Sequence, residues 1–325
     1  MNSHRSRIAV VGAGMAGLAC ARGLARDGLD VAVFDKSRGL GGRLATRRTG
    51  ALAFDHGAQY VTTRSDAFRQ VMAELVAAGA AGAWHPAGAD TRGEPWYVGA
   101  PGMSALARPL ADGLPVAHER RAVGLHRAAG GWQVRFADGE QAGAFDAVVL
   151  AVPAPQAADL LGDRAGHFPE LAGVSMAPCW AAMAAFDTPL AVPFDVVKPD
   201  DDVVAWMARN NSKPGRPDGA DQWVIHATAP WSRAHLESAP DAVADTLVRH
   251  LARLCDQPDR WPALSIGHRW RYAFVDRPLG RDCLWRPDLA LGLAGDWCLG
   301  ARVEAAFTSG AALGALVGQA MRPRP

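Results

Sequence analysis

A chain of 325 residues with 49% hydrophobic and 21% charged residues has the composition of a soluble globular protein, long enough for a large core and two domains. Its formal net charge of +1 argues against a polyanion or a charged membrane surface as partner. Five scattered cysteines (Cys20, Cys179, Cys255, Cys283, Cys298), with no Cys-x-x-Cys pair and no Cys/His spacing suited to zinc, exclude a disulfide scaffold and predict a cytoplasmic setting without a bound metal.

The polar start gives way to Ile8–Val11, an apolar run too short for a signal peptide, and no stretch reaches membrane-spanning length. Ile8–Val11 reads as a strand entering Gly12-Ala13-Gly14-Met15-Ala16-Gly17. A helical pattern follows to Arg26, then a second strand, Val31–Phe34, ending in Asp35. This order of strand, glycine turn, helix, strand and acid is the context a dinucleotide site requires. Gly12 permits the tight turn, Gly14 lets the backbone approach a pyrophosphate, and Gly17 lets helix and strand pack closely. The amides at Met15 and beyond, at the positive end of the helix dipole, face the phosphates. Asp35 is placed to accept from ribose hydroxyls and disfavours a 2′-phosphate. A glycine turn can also serve packing alone; the flanking elements favour the nucleotide.

Lys36 to Arg43 follows at once. Its Gly41-Gly42-Arg43 end suits a loop folded over the pyrophosphate, with amides and a guanidinium as counter-charge, against the alternative of a solvated basic loop. Asp55-His56-Gly57-Ala58-Gln59-Tyr60 comes next, and helical spacing then covers Ser65 to Ala78. Gly79 to Gly99 reads as loop with short strands, and a helix covers Ala105 to Ala111.

From Pro115 the period switches to two. Strands are predicted at Val116–His118, Ala122–Arg127, Trp132–Ala137 and Phe145–Val152, with turns at Gly130-Gly131 and Asp138-Gly139. The last of these, stopped by Pro153 and Pro155, reads as a return to a parallel sheet. Trp180–Phe186, Val203–Ala208, Gln222–Thr228 and Leu264–Ala273 read as strands, Pro240–Leu254 as a helix. Leu289–Leu293 re-enters the first domain, Val303–Met321 closes it, and the terminal Arg-Pro-Arg-Pro is expected to fray. The predicted class is α/β. A discontinuous Rossmann-like FAD-binding domain (1–64, 101–164, 283–325) is joined to a second α+β substrate domain on an antiparallel sheet (65–100, 165–282), with the substrate expected between the domains.

The inner motifs carry a resemblance beyond the glycine fingerprint. They include Phe34-Asp35-Lys36-Ser37-Arg38-Gly39, Gly57-Ala58-Gln59-Tyr60, Pro101-Gly102-Met103-Ser104 and Pro153-Ala154-Pro155-Gln156. Ala208-Arg209-Asn210, Ser212-Lys213-Pro214-Gly215, His226-Ala227-Thr228, His268-Arg269-Trp270 and Gly295-Asp296-Trp297-Cys298-Leu299 continue the set. Over nearly the whole chain it resembles the FAD-dependent amine oxidase-like superfamily and, within it, the bacterial renalases. The resemblance implies FAD held by Gly12, Gly14, Met15, Gly17, Asp35, Lys36, Gly42, Arg43, Gly57, Ala58, Gln59, Val123, Gly295, Asp296, Val303 and Ala306.

It also implies oxidation of the 2- or 6-dihydro isomers of NAD(P)H to NAD(P)+ by hydride transfer to flavin N5. Oxygen is then reduced to hydrogen peroxide, as metabolite repair. Losing hydride makes a dihydropyridine an aromatic pyridinium, so no acid–base triad is needed. Gln59, Tyr60, Thr62, Asn210, His226 and Trp297 are the candidate substrate contacts: Gln59 and Asn210 for a carboxamide, a Trp or Tyr for stacking. A strand histidine such as His226 can equally be core, and Trp270 is read as core. Cys298 is read as a small apolar packer in preference to a covalent flavin link. Lys213, in a polar loop, is expected on the surface, which argues against amine oxidation. The alternatives are an amine oxidase, a carotenoid-type desaturase, and a flavin-binding protein without turnover.

Overall fold

The computed structural model describes residues 5–322; the tail beyond Arg322, expected to fray, lies outside them. The chain divides into two compact units. One comprises residues 5–42, 107–176 and 275–322, the other 43–106 and 177–274. Residues 43–64 and 101–106 thus group with the second unit, and 165–176 and 275–282 with the first, in place of the sequence-based bounds.

The first unit is built on a six-stranded sheet in the order Leu284–Arg286, Leu291–Leu293, Ala147–Leu150, Arg7–Val11, Asp30–Phe34, Val116–Ala117. All neighbours are parallel except the first pair, with Ile8 beside Val31 on one side and Ala147 on the other. Ala147–Leu150 is buried throughout, as a central parallel strand must be. It is not continuous with the preceding segment. Gln141–Phe145 belongs to a separate three-stranded antiparallel sheet with Ala122–Ala128 and Gly131–Phe136. The break falls at Asp146, whose amide donates to Arg7 O (2.8 Å) while its carboxylate accepts the Arg7 amide (2.7 Å). Pro153 and Pro155 end the strand as expected but also start a helix, Ala154–Leu161, since proline suits a first helical turn.

Two helices of this unit, Met15–Arg26 and Val303–Met321, approach closely because the latter carries glycine every fourth residue. A Cβ at Gly310 would lie 2.7 Å from the Ala16 carbonyl carbon and nearer still to its oxygen; one at Gly314 would lie 3.0 Å from Cys20 O. None of the helices among the described residues is long and apolar enough to cross a membrane.

The second unit carries a five-stranded sheet in the order Val196–Val197, Val204–Arg209, Asp221–Ala227, Ser175–Phe186, Leu264–Arg277. Side chains along its fourth strand, Ser175–Phe186, alternate between two packed faces. Trp180, Ala182, Ala184 and Phe186 pack with Val243, Leu247, Val248 and Leu251 of helix Pro240–Leu254, while Met183 and Ala185 pack with Phe54 on the other side. Burial on both faces explains the uninterrupted apolar run. Each large aliphatic side chain of the helix so buried contributes about 1.5–3 kcal/mol. Strands Thr46–Thr49 and Leu52–Asp55 form a hairpin, and Ala81–Trp84 pairs with Trp96–Gly99. The helix expected at Ser65 to Ala78 is Asp66–Ala77, capped by Ser65, whose hydroxyl accepts the Phe68 amide. Of Ala105 to Ala111, only Arg108–Ala111 is α-helical, after a 3-10 segment from Met103 to Ala107.

Candidate functional site

In the first unit the strand Arg7–Val11 delivers Gly12 at φ +110°, the left-handed region that glycine enters without steric cost. A Cβ there would also meet Ala151 O at 2.5 Å. At Gly17 a Cβ would lie 3.0 Å from the Gly12 carbonyl carbon, so the helix rests directly on the turn. Gly14 is different. The place of its absent Cβ has one neighbour, Gly41 O at 3.9 Å, which leaves the half-exposed backbone open to a large anion. Gly14 also begins helix Met15–Arg26 with no side-chain cap and no acid in the first turn. The Met15, Ala16 and Gly17 amides thus lie at the positive dipole end of an uncapped helix, the kind of terminus that favours an anion. The Gly41 amide donates to Ala13 O (2.9 Å), which seats Gly42 over the same turn.

Asp35 ends its strand buried. One carboxylate oxygen accepts the Ala13 amide and the other the Ser37 amide, both at 2.7 Å. A carboxylate has about four acceptor positions, so Asp35 can brace the glycine turn and still receive a ribose hydroxyl. Lys36 beside it is exposed. Val123 is the extra residue of a β-bulge, between the pairs Ala122–Phe136 and Gly124–Arg135, and the bulge leaves it 46% exposed. A purine ring can cover such an apolar surface.

Gly295 and Asp296 precede the closing helix. The Gly295 amide donates to Ser309 Oγ (3.0 Å), and a Cβ at Gly295 would lie 2.6 Å from Cδ1 of Trp297. Trp297 is not a substrate contact. It has no exposed surface, packs in the core of this unit and donates its indole N–H to Val152 O (3.0 Å). Cys298 is buried as well, and burial pushes its thiol up to about 12, which removes the thiolate that covalent attachment requires. Val303 and Ala306 are half-buried on the first turn of the closing helix, where Glu304 pairs with Arg302 (3.2 Å).

The second unit opens at Arg43, whose guanidinium donates to Ala273 O (3.1 Å) and whose carbonyl accepts the Ala58 amide (2.9 Å). A Cβ at Gly57 would lie 3.0 Å from the Arg43 carbonyl carbon, so that crossing requires glycine. Gln59 spends its amide on the loop. Its Nε2 donates to Gly57 O (3.0 Å) and Asp55 O, and its Oε1 accepts from Lys213 Nζ (3.2 Å). Asn210 is fully buried, accepting the Asp55 amide (3.2 Å) and donating to Ala53 O (2.7 Å). With no surface left, it braces the hairpin strand and does not reach a carboxamide. Tyr60 and Thr62 remain half-exposed. The Tyr60 ring lies flat on Trp96 at 3.8 Å between centroids and 5.7 Å from Trp206. His226 and Trp270 each direct a ring nitrogen at His56 O (3.1 and 2.9 Å), beside a cluster in which His56 and His268 lie 4.6 Å apart. Burial holds His56 at about 3 and His226 at about 4.

Lys213 is buried, contrary to its expected place on the surface. Its ammonium and the Arg216 guanidinium both meet the Asp55 carboxylate, and all three side chains are wholly enclosed. Burial alone would raise the Asp55 carboxyl, but Lys213 and Arg216, together with the hydrogen bonds from the Met103 amide and the Thr46 hydroxyl, offset it and hold the group below the ordinary range. Burial lowers Lys213 to about 8. Asp55, Lys213 and Arg216 are the residues that motif reading missed. One sign was available: lysine occurs three times among 34 basic residues, and Lys213 is one of them.

Residues 10–75 match the NAD(P)-binding Rossmann-like domain and residues 78–312 the flavin containing amine oxidoreductase family. A 68-residue segment is 41% identical to a Mycobacterium tuberculosis protein provisionally named flavin-containing monoamine oxidase AofH, covering 21% of this chain and 15% of that one. At the level of fold, cyclohexylamine oxidase from Brevibacterium oxydans superposes with a TM-score of 0.74 at 12% identity, over 97% of this chain and 99% of its own. A provisionally named protoporphyrinogen oxidase from Exiguobacterium gives 0.75 at 15% identity, over 98% and 99%. The chain belongs to the flavin containing amine oxidoreductase family, and its cofactor is FAD. The uncrowded Gly14, the uncapped helix start and the spare acceptors of Asp35 fit that dinucleotide.

Proposed function

We propose that this protein is an FAD-dependent oxidase that converts the 2- or 6-dihydro isomers of NAD(P)H into NAD(P)+, with O2 as terminal acceptor and H2O2 as by-product. The net reaction takes one dihydronicotinamide, one O2 and one proton to one nicotinamide cation and one H2O2. Bound FAD supplies the two-electron acceptor and its reoxidation by oxygen. In this reading the first unit binds the cofactor through the glycine turn, Asp35, Val123 and the Gly295-Asp296 segment. Tyr60 and Thr62 offer contact to the nicotinamide ring. Five free thiols suit a reducing, cytoplasmic compartment, and the role is repair of misreduced dinucleotide.

The observation that carries the reading is a flat, half-exposed Tyr60 ring in a unit whose buried acid, Asp55, is already paired and whose clustered histidines are held neutral by burial. Asp55 is saturated by two cations, and His56 and His226, at about 3 and 4, are poor proton acceptors at neutral pH. A donor that becomes an aromatic cation on losing hydride needs no base. An alkylammonium substrate must first lose a proton. The amine oxidase reading keeps one point in its favour, because burial of Lys213 removes the argument drawn from a surface lysine.

Anaerobic mixing with the separated 2-, 4- and 6-dihydro isomers of borohydride-treated NAD+ tests the choice. Rapid bleaching of the bound flavin is expected with the 2- or 6-isomer alone. Bleaching by primary amines or polyamines and by no dihydro isomer would transfer the assignment to amine oxidation, and no bleaching by any donor would leave a flavin-binding protein without turnover.

A further inference from the structure

The Asp55 cluster holds one cation more than its carboxylate requires. Arg216 already meets Asp55 Oδ2 through both Nε (3.2 Å) and Nη2, while Thr46 Oγ1 (2.7 Å) and the Met103 amide (2.8 Å) fill Oδ1. Lys213 adds a second buried positive charge at 3.3 Å, a costly placement unless it does something Arg216 does not. Its three donors reach three different oxygens: Asp55 Oδ2, Asn210 Oδ1 (3.4 Å) and Gln59 Oε1 (3.2 Å). Only the last has no other donor in the cluster. Gln59 in turn ties the Asp55 and Gly57 carbonyls with its Nε2. The chain of contacts therefore runs from the ammonium, through one amide, into the turn that ends at Tyr60.

We propose that Lys213 is a positioning residue, whose ammonium holds the Gln59 amide and thereby the 55–60 turn in the conformation that lays Tyr60 flat on Trp96. The choice of Tyr60 as the substrate-facing ring rests on the dihydronicotinamide reading; the positioning itself does not. A neutral amine offers two N–H donors to three acceptors, so one contact is lost on deprotonation. Asp55 keeps Arg216, which leaves Gln59 as the contact with least to hold it. The groups facing Lys213 are Asp55 on strand Leu52–Asp55, Arg216 after the 210–212 turn, His226 on strand Asp221–Ala227 and the Trp84 ring at 5.3 Å on strand Ala81–Trp84. His226 is neutral above about 4 and Asp55 ionised, so Lys213, lowered to about 8 by burial, is the group that changes charge in the alkaline range.

The test uses the FAD-loaded enzyme, Lys213→Met, Gln59→Met and the double variant. Near-UV circular dichroism reads the Tyr60–Trp96 stack without reference to turnover. In the unsubstituted protein that band is expected to change with a midpoint near pH 8, and in Lys213→Met to be altered at pH 7 and flat with pH. KM for the active dihydro isomer is expected to rise about tenfold in either single variant, the loss of roughly one hydrogen bond, with kcat changed less than about threefold. The double variant is expected to be no worse than the singles, as for two residues acting through one contact. An unaltered band and KM in Lys213→Met, or additive losses in the double variant, would overturn the proposal. If no dihydro isomer reduces the wild-type flavin, the functional reading fails, while the dichroism and its pH midpoint still decide the positioning. That wild-type titration needs no variant to fold.

Discussion

Replacing Gly310 by alanine is expected to loosen the cofactor cradle from behind. The new Cβ would sit 2.7 Å from the Ala16 carbonyl carbon, where ordinary contact begins at 3.4 Å. The obstructing atom is backbone and cannot rotate away, so the two helices must part by about 1 Å, an overpacking that costs typically 1–3 kcal/mol. Leu313 and Val317, buried on the same helix, lose contact as it moves. For a unit of this size the melting temperature is expected to fall by about 5–10 °C. Ala16 lies in the first turn of the helix proposed to face the pyrophosphate, so the same displacement moves the amides of that turn, and FAD is expected to bind about tenfold more weakly. Differential scanning fluorimetry of the apoprotein and a flavin fluorescence titration measure the two effects. Gly23→Ala provides the contrast. Nothing lies within 4 Å of its Cβ position in the interior of helix Met15–Arg26, so it is expected to stabilise by about 0.5–1 kcal/mol. A Gly310→Ala protein with unchanged melting and unchanged FAD affinity would refute the close-packing argument.

Asp55→Asn removes the one carboxylate that, among the described residues, meets Lys213 and Arg216, and uncompensated buried charge of this kind costs about 3–5 kcal/mol. Urea unfolding of the second unit, followed by tryptophan fluorescence, should shift accordingly, and Lys213→Met on top of Asp55→Asn should recover part of the loss. The Asp55 carboxyl is held below its unfolded value, so its contribution is full above that value and disappears as pH falls through the folded one. The histidine cluster acts earlier on acidification. Folded His56, His226 and His268 titrate at about 3, 4 and 4 against an unperturbed 6.5, so the unfolded chain binds the extra protons. Stability is therefore expected to fall from about pH 6.5 down to 4, by at most about 1.4 kcal/mol per pH unit for each fully buried ring and less for the half-exposed His268. Urea midpoints at pH 7 and pH 5 should differ, and His226→Phe should flatten the slope; equal midpoints would contradict the neutral state assigned to the cluster.

The amino-acid sequence by itself determined the nucleotide turn, the alternation of strands and the class of cofactor, because each is written in neighbouring residues. Gly12, Gly14, Gly17 and Asp35 lie within 24 positions of one another, and their spacing fixes backbone conformations that need no distant partner. The strand at Trp180–Phe186 was legible as an apolar run, while its division between two packed faces was not. What only the tertiary structure decided is where polar groups spend their hydrogen bonds. Asn210, Gln59 and Lys213 looked like surface or ligand-facing residues until Asp55, 158 positions away from Lys213, was seen to gather them, and Trp297 looked like a contact until Val152 took its indole N–H. A buried polar group must find a partner wherever the fold brings one, and that choice depends on contacts between segments that no local pattern encodes.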